Sequence, residues 1–190
     1  SGSSFIKLEE IRSQKKSIAT TRSFESTLTN LSDIEERIST FATSCAEKLR
    51  MQNSCCTSLL VFVRSDPFKK EKQYSNSCVI HLSNASNSSI TISKQAIYGL
   101  RKIFKPGVSY KKAGVLVLGL KSKKNHQLNI FEPNIVKHDS LMKAIDTISY
   151  KYGSSRIKLA NQDLNRVWKM KQNNLSPKFT TVLEDIIKVK

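Results

Sequence analysis

Cys56-Thr57-Ser58-Leu59-Leu60-Val61-Phe62-Val63-Arg64 is a nearly continuous apolar run with β-branched content, too short for a typical helix, and Asp66-Pro67 ends it. It reads as a central strand, and the neighbouring elements are placed relative to it. Upstream, Ser32 followed by Glu35 has the pattern of a capping box, and Ile38, Phe41, Ala42, Cys45 and Leu49 then recur on one helical face to about Gln52. Before that helix, Ser17 to Phe24 alternates as an edge or open-faced strand, with Lys15 and Lys16 leading in and Arg22 inside it. Downstream, Gln73 to Leu82 reads as a third strand, and the Ser/Asn-rich segment Ser83 to Ser89 as a loop that supplies caps for a second helix. That helix buries Ile92, Ala96, Leu100, Ile103 and Phe104. Lys105-Pro106-Gly107 turns the chain into a fourth strand, Tyr110 to Leu120.

The order strand, helix, strand, strand, helix, strand predicts an α+β fold, a four-stranded sheet with two helices on one face and the other face open. The chain carries 32 Lys and Arg against 15 Asp and Glu, a formal charge of +17. Such an excess favours a polyanion, because each cation that neutralises a phosphate releases a condensed counterion. Lys15, Lys16 and Arg22 at the first strand, Lys69, Lys70 and Lys72 between the middle strands, and Lys111 and Lys112 at the last are placed to ring the open face. The alternative reading of these residues is a solvated charged surface.

Beyond the fourth strand the pattern changes. Gln127-Leu128-Asn129-Ile130-Phe131 follows a polar lead-in (Lys121, Lys123, Lys124, Asn125, His126) and precedes Glu132-Pro133, so its apolar side chains have no neighbouring pattern to join. They read either as a peptide for a partner's pocket or as a satellite core folded back on the tail. Asp139 to Tyr152 then carries Leu141, Ile145, Ile148 and Tyr152 on one face, with Gly153 as its C-cap, and Arg156 to Ala160 reads as a short strand. Trp168, the sole tryptophan, serves either as an interface anchor or as the centre of a small core. The resulting division is 1–14 tag remnant and linker, 15–122 main domain, 123–134 linker and 135–190 a small C-terminal α/β appendage.

Several function classes find no support. There is no glycine-rich phosphate loop and no H-E-x-x-H, and no Ser/His/Asp or Cys/His arrangement can be assembled from the sequence. Cys45, Cys55, Cys56 and Cys78 lack C-x-x-C spacing and read as thiols of a reducing cytosol rather than as zinc ligands or disulfides. No apolar run approaches the length of about 18 residues that would suggest a membrane span. Ser1-Gly2-Ser3 has the look of a cloning scar, and the start without methionine is that of a fragment.

Thr21-Arg22-Ser23-Phe24, Ala46-Glu47-Lys48-Leu49-Arg50, Val61 to Phe68 (VFVRSDPF), Tyr74-Ser75-Asn76, Tyr110 to Gly114 (YKKAG), Gln127 to Phe131, Trp168-Lys169-Met170 and Leu175 to Thr181 (LSPKFTT) occur in an order that resembles the C-terminal part of the ImpB/MucB/SamB group of Y-family translesion DNA polymerases. Glu25 departs from it, standing where relatives commonly carry a glycine. The resemblance implies that residues from about Lys15 to Lys121 form the little finger, whose sheet lies along the major groove of primer-template DNA and contacts mostly phosphates. The residues expected to do so are Lys15, Lys16, Thr21, Arg22, Tyr110, Lys111 and Lys112. It also implies that Gln127, Leu128, Asn129, Ile130 and Phe131 dock on the bacterial sliding clamp. The tail is implied to assemble with a UmuD-like partner and a recombinase filament. No cofactor is implied for these residues, magnesium belonging to a catalytic domain elsewhere, and the setting is the bacterial cytoplasm at the nucleoid. Two other readings stand beside this one: a free-standing RNA-binding α/β module that stacks bases on Tyr74 and Tyr110, and a protein adaptor without DNA affinity.

Overall fold

The computed structural model describes residues 14–69, 73–123, 135–153, 156–162 and 175–186. The elements are β1 (Ile18–Leu28), α1 (Leu31–Met51), β2 (Ser54–Ser65), β3 (Ser75–Ser86), α2 (Ser89–Ile103), β4 (Tyr110–Ser122) and α3 (Ile135–Tyr152), followed by a single 3-10 turn at Leu183–Asp185. The strands form one antiparallel sheet in the order β1-β4-β2-β3. This is the expected α+β architecture.

Alternation along the strands decides what the helices cover. Ile18, Val117, Leu59 and Ile80 lie opposite one another across the sheet, and all four are buried. Val115 and Val61 form the centre of the next row and Ala113 and Val63 of the one after it, so one face of the sheet is apolar at every second residue. Against it α1 sets Ile34, Ile38, Phe41, Ala42, Cys45, Ala46 and Leu49, and α2 sets Ile92, Ala96, Leu100 and Ile103. The two helices meet through small side chains, and where they touch, Ser39 Oγ and Ser93 Oγ share a buried hydrogen bond of 2.8 Å. Cys45, Cys55 and Cys56 are buried and Cys78 is half-buried, all with free thiols; burial pushes the Cys56 thiol up to about 12.

Four local expectations are corrected. The capping box at Ser32 and Glu35 is not formed. Asn30 is the N-cap and its amide bonds the Asp33 carboxylate at 3.3 Å, while Glu35 reaches across to Arg101 of α2 at 2.6 Å. The third strand continues beyond Leu82 to Ser86, because a register shift lets the Ser/Asn segment keep pairing with β2 at Cys56. Only Asn87 and Ser88 are left as the connection, with Ser88 Oγ accepting the Thr91 N–H as N-cap. Arg156 to Ala160 is a bend running into a turn rather than a strand. Gln162 answers the backbone there by side chain, its Oε1 accepting the Leu159 N–H at 2.7 Å while its own N–H bonds the Leu159 carbonyl. Finally, the face of α3 expected to be buried is largely outward, with Leu141 and Tyr152 exposed and Ile145 and Ile148 half-buried. Gly153, at φ +93, stops α3 as expected.

α3 is seated on the main domain by a polar stripe. Arg50, near the end of α1, donates from Nε and Nη2 to the two oxygens of Asp146 at 2.6 and 2.7 Å, and from Nη1 to the Asn87 carbonyl and Ser89 Oγ at 2.8 and 3.0 Å. His138 Nδ1 lies 3.2 Å from Ser88 Oγ, Asp139 pairs with Lys123 at 2.8 Å, and Asn161 donates to Ser93 Oγ at 2.8 Å. Met142 is the apolar centre of this contact, fully buried with its sulfur 3.4 Å from the Ser89 N–H. Replacing Arg50 by Ala strands Asp146, Asn87 and Ser89 together, and the half-exposed state of Asp146 moderates the cost. The expected loss of α3 docking free energy is about 1–3 kcal/mol. Amide hydrogen exchange reads it as faster exchange across Leu141 to Ser149, with protection in β2 unchanged.

Candidate nucleic-acid interface

The face of the sheet away from the helices is set by the same register. Three full cross-strand rows lie on it: Ser23, Lys112, Arg64 and Ser75; Thr21, Gly114, Phe62 and Ser77; Ala19, Leu116, Leu60 and Val79. A fourth row, Leu118, Ser58 and His81, follows, its Ser58 Oγ and His81 Nδ1 joined at 2.9 Å. One end of the face is therefore cationic and hydroxylic, and its middle is apolar. Gly114 is what makes that middle flat. A Cβ there would come within 2.5 Å of both the Phe62 ring and the Thr21 methyl, so the aromatic ring lies directly across bare β4 backbone.

Lys112 and Arg64 are paired directly across β4 and β2. Like charges opposite one another destabilise a sheet unless something neutralises them, and among the described residues neither forms an ion pair. Around them stand the hydroxyls of Ser23, Ser75, Thr21 and Ser77. The arrangement presents two cations and several donors on an uncovered surface, the chemistry of an anion seat whose ligand is extended rather than enclosed.

The residues expected from the sequence divide accordingly. Thr21 and Lys112 lie on the open face. Lys15 and Lys16 are exposed and precede β1 at the opposite end of the face from Lys112, since Ile18 pairs with Val117. Arg22 is exposed at the edge of the sheet, but its row, with Ala113 and Val63, is the one the helices cover. Lys111 turns aside, its Nζ donating to the Glu25 carbonyl at 2.9 Å across the irregular end of β1. Lys69 is exposed in the β2–β3 connection, while Lys70 and Lys72 lie outside the described residues.

Tyr110 requires correction. It is fully buried, its ring against Phe104 and edge-on to Tyr74, and its hydroxyl accepts the Lys105 N–H at 2.7 Å and reaches the Lys105 carbonyl at 3.1 Å. Burial pushes its phenol up. The cause is a register shift of β4 against β2 between Arg64 and Ser65, which turns Tyr110 to the helix side although it stands two residues from outward-facing Lys112. Tyr74 is half-buried and donates to the Ile103 carbonyl at 2.7 Å. The aromatics on which an RNA-stacking sheet was to depend are thus spent inside the domain.

Arg64, Phe62 and Leu60 on the open face were absorbed by the sequence reading into an undivided apolar strand. A period of two counted from Leu59 is the signal that separates them. Gln127, Leu128, Asn129, Ile130 and Phe131 lie outside the described residues, as does Trp168. Among the described residues no helix is long and apolar enough to cross a membrane.

The family profile of the impB/mucB/samB family C-terminal domain matches residues 15–130. A domain of unknown function (DUF4113) matches residues 139–189. Protein UmuC of Salmonella typhimurium is 33% identical over 192 residues, covering 100% of this chain and 46% of that protein. Protein MucB of Escherichia coli is 32% identical over 183 residues, with 95% and 43% covered, and Protein ImpB of Salmonella typhimurium 31% over 188 residues, with 97% and 44% covered. The chain thus spans less than half the length of these curated relatives.

Because the Tyr110 hydroxyl serves the turn at Lys105, Tyr110→Phe is expected to lower unfolding free energy by about 1–3 kcal/mol. Urea denaturation measures this.

Proposed function

The chain belongs to the impB/mucB/samB family, whose C-terminal domain residues 15–130 match, and from that membership we propose that it is the DNA-holding and clamp-docking part of a Y-family translesion polymerase, a UmuC-like subunit of the SOS response. The observation that carries the reading is the open face with Lys112 and Arg64 side by side and no carboxylate to neutralise them among the described residues. Phosphates of a primer-template duplex supply the missing charge. Contacts to phosphate position the duplex without reading its sequence. Lys15, Lys16, Thr21, Arg22, Lys111 and Lys112 remain the proposed set, to which the geometry adds Arg64 and from which burial removes Tyr110.

On this reading Leu128, Ile130 and Phe131 enter a hydrophobic cleft of the bacterial sliding clamp, each worth roughly 1.5–3 kcal/mol if fully buried, while Gln127 supplies orienting hydrogen bonds. Ordering the peptide offsets much of that gain. DNA held by the sheet raises the effective concentration of the peptide at the clamp. The C-terminal region is then the part that meets a UmuD-like subunit and the recombinase filament, the whole acting at the bacterial nucleoid. Polymerisation and its magnesium sites belong to a palm that these residues do not supply.

If about five phosphates are neutralised, affinity for primer-template DNA should fall by about two to three orders of magnitude for a fourfold rise in salt. Fluorescence anisotropy across a salt series measures it, and binding that is absent at low salt, or selective for single-stranded RNA, rejects the reading. Primer extension by the isolated 190 residues would also contradict it. For the peptide, titration against a bacterial sliding clamp should show modest affinity that is lost when Leu128, Ile130 and Phe131 are changed together to alanine. Unchanged binding by that variant defeats the docking assignment.

A further inference from the structure

The connection between β2 and β3 begins at the cationic end of the open face, at Asp66, two residues beyond Arg64, and it displays a phenylalanine. Phe68 is 94% exposed, whereas Phe24 and Phe41 are buried and Phe62 and Phe104 half-buried. Its presentation is built rather than left to a loose loop. Asp66 Oδ1 accepts the Phe68 N–H at 3.1 Å, and the Lys69 N–H bonds the Asp66 carbonyl at 3.4 Å, while Pro67 between them has its φ fixed by its ring. Gln73 Nε2 straps the same turn from the other side, donating to the carbonyls of Asp66 and Lys69 at 2.9 and 2.8 Å. Ser65 ties the strap to the sheet: its Oγ donates to Gln73 Oε1 at 3.1 Å and accepts the Tyr74 N–H at 2.8 Å. The backbone that carries the exposed ring is thus pinned by side-chain and backbone bonds, with Lys69 next to it in sequence and Arg64 four residues before it.

We propose that Phe68 is a stacking contact for an unpaired base of the template strand, placed where the duplex held on the open face ends. The inference rests on the DNA-holding reading above. A base inside a duplex already has both faces stacked, and inserting a ring between base pairs costs a few kilocalories per mole per step. An unpaired base offers its π-face without that cost, and ring stacking tolerates every base, as a sequence-independent DNA holder requires. Arg64 and Lys112 at the same end of the face supply the phosphate contacts that bring the strand within reach of the ring.

The test compares the 190-residue chain with its Phe68→Ala and Phe68→Tyr variants on two DNAs of equal paired length, a blunt duplex and a primer-template with a single-stranded template overhang. Phe68 packs on nothing in the core, so both variants should keep the wild-type unfolding midpoint. On the overhang substrate the Ala variant is expected to bind about tenfold more weakly, and the Tyr variant to stay within about twofold of wild type. Blunt-duplex affinity and the dependence of affinity on salt should not change, since no cation is removed. Equal affinity of wild type and Ala variant for the overhang substrate, or equal losses on both DNAs, overturns the stacking role while leaving the phosphate-holding face intact. Failure of the wild-type chain to bind either DNA at low salt overturns both.

Discussion

The domain has one sheet and two helices to cover it. An antiparallel sheet offers two faces, and α1 and α2 pack together on the same one, joined at Ser39 and Ser93. The other face is left open to solvent. Ile18, Leu59, Val61, Val63, Val115 and Val117 are committed to the covered side, and the period of two therefore delivers Thr21, Leu60, Phe62, Arg64, Lys112 and Leu116 to the other. Had the helices been placed on both faces, the same cations would have been buried and costly. Left in water, they are available to a partner whose charge is opposite.

Departures from strict alternation refine this surface. Where β4 slips against β2, Tyr110 swings inward to close the core at Lys105, and the neighbouring Lys111 is drawn to the Glu25 carbonyl. Where β3 slips against β2, a polar Ser/Asn stretch is carried into the sheet as far as Ser86 and delivers Ser88 to cap α2. A bulge changes which residues face which way without changing composition. It is the reason that YKKAG, a compact motif in the sequence, divides into a core residue and surface residues.

α3 obeys different physics from the main core. Among the described side chains of α3 only Met142 is fully buried, and Leu141, Tyr150 and Tyr152 are exposed. Arg50 holds it, satisfying a carboxylate of α3 and a carbonyl and a hydroxyl at the entry to α2. Such contacts fix orientation more than they add stability, because each charged group gives up water to make them. α3 is in this way given a defined seat on the domain formed by the sheet, α1 and α2.

Read from the sequence alone, the order of the four strands and two helices between Lys15 and Ser122, the buried faces of α1 and α2, and the basic character of the chain were determined, because periodicity and charge are properties of neighbours along the chain, whereas the strand expected at Arg156 to Ala160 is a bend and turn. The motif order also carried the family. Which face of Cys56 to Arg64 the helices cover, the burial of Tyr110, the pairing of Lys112 with Arg64 and the partnership of Arg50 with Asp146 were decided only by the tertiary structure. Each depends on register or on residues far apart in sequence, Arg50 and Asp146 being separated by 96 positions. Cross-strand offset is set by how side chains pack through the whole sheet, and no local pattern contains it.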